Sequence, residues 1–337
     1  MNTALNQIQS DQDLTAEQMK ALIARMIQGQ MSQPDMAQHL TALSEKGETT
    51  QEIIGAAQAL REKASPINAP TGAIDCCGTG GDGASTYNIS TAVAIVAASC
   101  GVPIAKHGNR ASSSKSGAAD VLEALGVNLD CPHERLEDTL KQLNFAFLMA
   151  PKHHSAMKHV AAVRKSLKRR TIFNLIGPLA NPAKTKKQLI GVYDQALLIP
   201  FAEALKALGT TNAWIVHGAD GLDEITITGP THCAILKDGT ITQQTLSPED
   251  FGLQTHPPEH LIGGDAQTNA AALTDLLNGK TGAYRDIVLA NTAALLSLHT
   301  GETDLTKNTN KAAQAIDNES TLTLLKTYII LSNESTS

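Results

Sequence analysis

The sequence predicts an α/β protein with a small N-terminal helical domain and a larger α/β domain built on a mainly parallel central sheet. The N-terminal part shows only helical periodicity, whereas short apolar runs alternate with helical stretches from Ile74 onward. Alternation of this kind is typical of strand–helix–strand units in a parallel sheet. The chain has 337 residues, which is long enough to form two hydrophobic cores.

The N-terminal helices are predicted from their caps and their apolar faces. Thr15 and Gln18 fit a capping box at the start of a helix. The apolar positions that share one face of this helix are Met19, Leu22, Ile23, Met26 and Ile27. A second helix carries Leu40 and ends near Gly47, and a third follows a Thr-Thr-x-Glu start and carries Ile53.

Two prolines, Pro66 and Pro70, interrupt the helical pattern within the stretch SPINAPTG. We therefore predict that a helical domain of residues 1–69 ends in this linker, although a turn inside one continuous domain would give a similar pattern. A later helical segment near 168–190 is expected to join the helical domain. Residues 70–337 form the predicted α/β domain, which is expected to bind the ligands.

The α/β part contains short apolar runs that we predict to be strands, at 73–77, 102–106, 145–149, 188–193 and 213–218. The clearest predicted helices lie at 89–100, 116–125, 155–167, 198–208, 267–279 and 284–299. Residues 224–246 alternate with period two and contain a Lys-Asp-Gly turn, which indicates an antiparallel excursion.

Composition argues against several classes of protein. The net charge is -6, and the longest basic run is KRR, which argues against a nucleic-acid or anionic-membrane partner. The chain has no apolar run of the roughly 18–20 residues that a membrane span needs and no signal-like N-terminus, so we expect a cytoplasmic location. The five cysteines form an odd number without paired CxxC spacing, so we expect reduced thiols.

The stretch DCCGTGGDGASTYNIST, residues 75–91, places four glycines just after a predicted strand. Glycine lets backbone N–H groups approach a ligand, and a following helix N-terminus favours an anion, so a phosphate site is predicted here. A tight turn without a ligand would give a similar pattern. The loop lacks the Walker ending and departs from the dinucleotide fingerprint, so both nucleotide assignments are set aside.

Two further loops follow predicted strands and carry chemistry that suits a diphosphate. Residues 105–120 bring Lys106, Arg110 and several hydroxyl side chains beside a glycine. Residues 217–226 contain the adjacent carboxylates Asp223 and Glu224, which are oxygen ligands of the kind that Mg²⁺ prefers. Clustering at strand ends favours a shared phosphate and magnesium site over isolated surface charges.

With these loops the sequence resembles the anthranilate phosphoribosyltransferase family, the tryptophan-pathway branch of the nucleoside phosphorylase and phosphoribosyltransferase fold. The motifs are GTGGDG with NIST, KHGNR followed by SSSKSG, VRKSLKRRTIFNLIGPLANP at 163–182, and DGLDE. The resemblance implies a glycosyltransferase that joins the amine of anthranilate to C1 of 5-phosphoribosyl 1-diphosphate and releases pyrophosphate. It also implies Mg²⁺, expected as two ions, and a homodimer formed through the helical domain, for which the faces near Leu22 and Leu40 are candidates.

The resemblance carries a set of site residues onto this chain. The implied phosphoribosyl-diphosphate positions are Gly78, Gly81, Asp82, Thr86, Asn88, Ile89, Ser90, Thr91, Lys106, His107, Gly108, Asn109, Arg110, Ala111, Ser112, Ser113, Ser114 and Ala118. The implied anthranilate positions are Gly78, Asn109 and Arg164, and the implied metal positions are Ser90, Asp223 and Glu224. Arg164 is the expected partner of the anthranilate carboxylate. His107 and Pro178 are expected to line the aromatic pocket, and His107 is either a proton acceptor or a purely steric element.

Some residues depart from the family pattern. Cys76 and Cys77 replace aliphatic residues, which small buried thiols can do, and Ala118 removes a serine hydroxyl near the diphosphate. Lys168 and Arg169 alter the turn before the RTIFN motif.

Alternative interpretations concern a histidine cluster and the function. The histidines of PKHHSAMKH at 151–159 lack the HExxH spacing, so a metal site is not predicted there. A phosphorolytic pyrimidine nucleoside phosphorylase and a non-enzymatic nucleic-acid-binding relative of the fold remain the alternative functions.

Overall fold

The computed structural model describes residues 3–111 and 115–334. The chain begins with four helices, α1 (Thr3–Gln9), α2 (Ala16–Ile27), α3 (Gln33–Lys46) and α4 (Thr50–Lys63). The predicted capping box of Thr15 with Gln18 is confirmed at the start of α2, and the Thr-Thr-x-Glu start forms a second one between Thr49 and Glu52 at α4.

The rest of the chain alternates strands and helices. Its strands are β1 (Ile74–Gly78), β2 (Ile104–Gly108), β3 (Phe145–Met149), β4 (Lys187–Gly191), β5 (Asn212–Gly218), β6 (Thr231–Lys237) and β7 (Thr240–Leu246). Its helices are α5 (Ile89–Ser99), α6 (Ala118–Ala124), α7 (His133–Leu143), α8 (Ala150–His153), α9 (Lys158–Leu167), α10 (Ile172–Ile176), α11 (Leu198–Ala207), α12 (Ala266–Leu277), α13 (Ala283–Thr300), α14 (Leu305–Asp317) and α15 (Ser320–Asn333). The predicted helices and parallel strands agree with these to within a few residues, whereas the antiparallel stretch predicted at 224–246 forms strands only from Thr231 onward.

The strands of the described residues form a sheet with the order β3-β2-β1-β4-β5-β6-β7. The first five are parallel, and β6 and β7 continue the sheet as an antiparallel hairpin. The predicted mainly parallel α/β fold is therefore confirmed. Since β2 lies on one side of β1 and β4 on the other, the carboxyl ends of β1 and β4 meet at a topological switch point, where open α/β sheets bind ligands.

Side chains of the sheet alternate between cores on its two faces. Ile74, Cys76 and Leu189 pack in a core that includes α5 and α13. Ile190 and Ile215 pack in a second core with the N-terminal helices and α11. Period-two alternation of this kind is what the strand geometry requires, and the buried Cys76 fills an aliphatic position in the first core.

The helical bundle buries the apolar faces that were predicted from periodicity. Leu22 is 4% exposed and Leu40 is fully buried, so both pack within the chain. Val160 of α9 and Ile172 of α10 lie in the same core. Within the segment 168–190, α10 packs in this core with the N-terminal helices, and 187–191 forms strand β4 between two strand neighbours. Within the described residues, no helix has the length and apolar character needed to cross a bilayer.

Candidate active site

The loop after β1 is shaped around Asp223. The Gly80 N–H donates a hydrogen bond to Oδ2 of Asp223 at 2.7 Å. A Cβ on Gly78 would lie 2.1 Å from the same oxygen, and a Cβ on Gly191, its register partner in β4, would lie 1.5 Å from the backbone oxygen of Asp223. These two glycines therefore make room for the acidic loop itself, in addition to any ligand.

The middle of this loop has the backbone conformation that glycine favours. Gly80, Gly81 and Gly83 have φ values of 69°, 77° and 78°. A Cβ on Gly80 or Gly83 would meet nothing within 4 Å among the described residues. The backbone at Gly80 and Gly83 is therefore uncovered on the side where a side chain would stand, which leaves room for a ligand to approach.

Lys106 connects the first two loops from a buried position. Its side chain is 1% exposed, and Nζ donates to the Cys76 carbonyl at 2.6 Å and lies 3.1 Å from Oγ of Ser90. Its charge also opposes the rise in the pKa of Glu224. The predicted lysine is therefore placed between the end of β1, the start of α5 and the acidic loop.

The acidic pair is held in a desolvated setting. Burial, then the charge of the neighbouring Asp82 carboxylate, raises the pKa of Asp223 to about 7. Burial, then the charge of Asp223, raises the pKa of Glu224 well above its usual range. A divalent cation would relieve this electrostatic cost, so the donor set fits Mg²⁺.

The protein supplies only part of a metal coordination shell. The described residues contain no cluster of three or more His, Cys, Asp or Glu side chains arranged to hold a metal ion. Ser90 lies beside the acidic pair, since its backbone N–H stabilises the Glu224 carboxylate. Mg²⁺ usually completes its shell with water and substrate phosphates, so a phosphorylated substrate would be part of this site.

The other residues of the NIST segment have distinct environments. Oγ1 of Thr91 is buried and has no hydrogen-bond partner among the described residues. Ile89 is 2% exposed and packs in the core, which leaves only its backbone for binding. Asn88 uses its amide to bridge the Ser116 carbonyl at 3.2 Å and the Asn269 amide at 2.8 Å.

The second loop is tied back onto α6. Arg110 pairs with Glu123 through both terminal nitrogens and with Asp120, so its guanidinium is engaged in surface ion pairs. Asp120 also accepts the N–H groups of Ala111 and Gly117, both at 2.9 Å.

The remaining predicted positions of this loop are Gly108, Asn109 and the three serines that follow. Gly108 is packed so that a Cβ would lie 2.5 Å from the Phe147 ring and 3.4 Å from the Ala118 side chain, while Asn109 is exposed. The predicted residues Ser112, Ser113 and Ser114 lie outside the described residues.

Arg164 and His107 are two of the residues expected at the anthranilate subsite. Arg164, near the end of α9, is half-buried, and its guanidinium carbon lies 5.6 Å from the centre of the Phe173 ring. Burial lowers the pKa of Arg164, and no carboxylate of the described residues forms an ion pair with it. A partly desolvated guanidinium without a carboxylate partner among the described residues is suited to an anionic ligand.

His107 is neutral in its setting. Burial, then the neighbouring His154, lowers the pKa of His107 to about 3, and the two rings meet edge to face with 5.1 Å between centroids. The His107 backbone N–H donates to Oδ1 of Asp75 at 3.0 Å. A group with so low a pKa is a weak proton acceptor at neutral pH, so the steric role is favoured.

Three supporting residues were not predicted from the sequence. Asp75 is fully buried in β1 and anchors the strand that carries His107. Asn269 positions Asn88, and Arg170 contacts the glycine loop. Asp75 could have been identified from the sequence, because a carboxylate inside a predicted strand is unusual. The contacts of Asn269 and Arg170 join segments that are distant in sequence, so no local pattern indicates them.

Comparison with known families agrees with this architecture. The model of the glycosyl transferase family helical bundle domain matches residues 2–64, and the model of the glycosyl transferase family a/b domain matches residues 70–322.

Individual proteins are similar over nearly the whole chain. An anthranilate phosphoribosyltransferase of Azospirillum brasilense is 53% identical over 310 residues, covering 92% of this chain and 87% of that protein. The crystal structure of the anthranilate phosphoribosyltransferase of Thermus thermophilus superposes with a TM-score of 0.92 at 38% identity, covering 98% of this chain and 99% of that one. The Saccharomyces cerevisiae enzyme in complex with PRPP and Mg superposes with a TM-score of 0.85 at 30% identity, covering 95% and 93%.

Proposed function

Because this chain belongs to the anthranilate phosphoribosyltransferase family, we propose that its three clustered loops and Arg164 carry out the reaction for which the family is named. The phosphoribosyl group of 5-phosphoribosyl 1-diphosphate (PRPP) is transferred to the amine of anthranilate, and pyrophosphate leaves. The observation that carries this proposal is the convergence of the glycine loop, Lys106 and the acidic pair at one switch point. The enzyme is a glycosyltransferase of the tryptophan pathway.

The chain's own groups account for binding of the diphosphate. The backbone N–H of Gly83 and the hydroxyl of Thr91, which has no partner among the described residues, donate hydrogen bonds to phosphate oxygens. The Lys106 ammonium, fixed by the Cys76 carbonyl, supplies a positive charge that does not have to be reorganised during reaction. Asp223, Glu224 and Ser90 hold Mg²⁺, for which we propose two ions. When bound, the metal neutralises the negative charge that develops on the leaving pyrophosphate.

The acceptor is positioned by Arg164. Its guanidinium pairs with the anthranilate carboxylate, which places the amine for attack on C1 of the ribosyl group. The bond from C1 to the diphosphate oxygen breaks, the bond from C1 to the amine nitrogen forms, and the nitrogen then releases one proton. An aromatic amine is a competent nucleophile without prior deprotonation, so the low pKa of His107 is compatible with the reaction.

The direct test is loss of anthranilate fluorescence in the presence of the purified chain, PRPP and Mg²⁺. We expect consumption that requires all three components and stops when Mg²⁺ is chelated. A folded protein that consumes no anthranilate but cleaves thymidine or uridine with phosphate would contradict the proposal in favour of nucleoside phosphorolysis. Salt-sensitive nucleic-acid binding without transfer would contradict it in favour of a binding protein.

We extend the proposal to the organisation of the enzyme. Residues 1–69 and 70–337 are the two proposed domains, and the protein works as a cytoplasmic homodimer. Since Leu22 and Leu40 are buried within the chain, the dimer contact must use other residues of the helical part. Size-exclusion chromatography with light scattering tests this, and a monomer at every concentration would contradict it.

A further inference from the structure

Arg170 makes a contact that none of the predicted site residues provides. It lies in the short connection between α9 and α10. Its Nη2 donates a hydrogen bond to the Gly81 carbonyl, and its guanidinium carbon lies 3.7 Å from the centre of the Tyr193 ring. An exposed arginine thus joins the centre of the glycine loop to an aromatic residue after β4.

The contact to Gly81 fixes the orientation of one peptide unit. In a trans peptide the C=O and the following N–H point in opposite directions. Because Arg170 holds the Gly81 carbonyl, the N–H of Asp82 is directed to the opposite side of that unit. Gly81 has a φ of 77°, and glycine is the residue most free to rotate away from such a conformation. The arginine therefore restrains the part of the loop that is most able to change shape.

Tyr193 ties the arginine to the base of the same loop. The Tyr193 N–H donates to Oγ1 of Thr79 at 3.1 Å, and the Thr79 N–H donates to the Gly191 carbonyl at 2.9 Å. Contacts therefore run from Gly191 to Thr79, from Thr79 to Tyr193, from Tyr193 to Arg170 and from Arg170 to Gly81. Together they hold the glycine loop at both its base and its centre. Planar stacking of a guanidinium on a ring orients the group as well as attracting it.

The neighbouring Arg169 offers a matched comparison. Its Nη1 pairs with Glu45 of α3 at 2.9 Å, and among the described residues it forms no hydrogen bond with the glycine loop. The two arginines are adjacent, exposed and equally charged. A difference between their variants therefore reports the loop contact and not a change in net charge.

We propose that Arg170, braced by Tyr193, is a positioning residue that holds residues 78–83 in the conformation that accepts the diphosphate. The proposal rests on the proposed function for the identity of the ligand. It assigns to Arg170 an effect on PRPP binding and none on the anthranilate subsite. A lysine cannot replace it, because an ammonium lacks the planar fork that both stacks and donates.

The test compares Arg170→Ala and Arg170→Lys with Arg169→Ala in the full-length enzyme. We expect KM for PRPP to rise about tenfold in both Arg170 variants, the size expected when one charge-assisted hydrogen bond is lost. KM for anthranilate and all parameters of Arg169→Ala should stay within about twofold of wild type. Tyr193→Ala should raise KM for PRPP in the same direction, because it removes the ring that orients Arg170.

Hydrogen exchange provides a readout that does not depend on turnover. Amides in 78–85 should exchange about tenfold faster in Arg170→Ala than in wild type or Arg169→Ala, in the absence of any substrate. Unchanged exchange in this segment would overturn the proposal, as would equal increases in KM for both substrates. If the wild-type chain shows no transferase activity, the proposed function fails, and the exchange rates alone still decide whether Arg170 holds the loop.

Discussion

The Gly80 N–H and the Asp223 carboxylate are joined by a 2.7 Å hydrogen bond across 143 residues of sequence. This bond joins the glycine loop after β1 to the acidic loop after β5 at the switch point. It places the proposed diphosphate-binding backbone beside the proposed metal-binding acids, as the proposed contact of one pyrophosphoryl group with both requires. The proposed transfer reaction therefore depends on this contact.

Removing the charge of the acidic pair should abolish metal-assisted transfer while keeping the fold. In the double variant Asp223→Asn and Glu224→Gln, the amide oxygen of Asn can still accept the Gly80 hydrogen bond. We expect kcat/KM for PRPP to fall by at least about 10²-fold and the dependence on Mg²⁺ to be lost. Steady-state kinetics over a range of Mg²⁺ concentrations measures this. A variant with the wild-type metal response would remove the two residues from the metal site.

A methyl group at Gly78 should disturb the same contact by steric pressure alone. Its Cβ would lie 2.1 Å from Oδ2 of Asp223, so Gly78→Ala must displace the carboxylate. We expect a loss of stability of about 1–3 kcal/mol and of most activity. Gly229→Ala is the control, because nothing among the described residues lies within 4 Å of its added Cβ. Thermal unfolding and the transferase assay compare the two, and an active, stable Gly78→Ala would contradict the packing described.

Arg164→Ala should separate the two substrates. The guanidinium has no carboxylate partner among the described residues, so its removal leaves no protein charge unpaired. We expect KM for anthranilate to rise about 10²-fold, PRPP binding to be spared, and stability to stay equal or increase. Steady-state kinetics with each substrate varied in turn gives the two KM values, and calorimetry measures the binding of PRPP separately. Equal damage to both substrates, or a destabilised protein, would show a structural arginine instead.

His154 should make the fold sensitive to acid. Burial lowers the pKa of His154 from 6.5 to about 4, so between these values the unfolded chain binds a proton that the folded chain does not. Its contribution to stability is complete above pH 6.5 and is lost as the pH falls toward 4. His154→Leu removes this titrating group. We therefore expect the difference in the free energy of unfolding between pH 7 and pH 5 to be about 2 kcal/mol smaller in the variant than in wild type. Urea unfolding at both pH values tests this, and an unchanged difference would refute it.

Local sequence signals predicted the parts of the molecule that depend on neighbouring residues. The capping boxes at Thr15 and Thr49, the strand β1 before its glycines and the β6–β7 hairpin all follow from patterns within a few residues. The acidic pair was identifiable because two carboxylates follow an apolar strand. These features are set by backbone geometry and periodicity, which the sequence displays directly.

Contacts between distant segments could not be predicted in this way. Gly78 lacks a side chain to make room for Asp223, and Asn88 is oriented by Asn269, 181 residues further along the chain. Arg110, which is expected at the diphosphate, also forms ion pairs with carboxylates of α6. The partner of a charged or small residue depends on which segments the fold brings together. Local patterns in the sequence do not give the order of the strands, so they do not identify these partners.

A crystal structure of the chain with PRPP and Mg²⁺ tests the central claim most directly. We predict diphosphate density bounded by the amides of 78–83 and by Lys106, with the metal on Asp223, Glu224 and Ser90. Density for the diphosphate away from this cleft, or a metal that does not touch Asp223 and Glu224, would contradict the account.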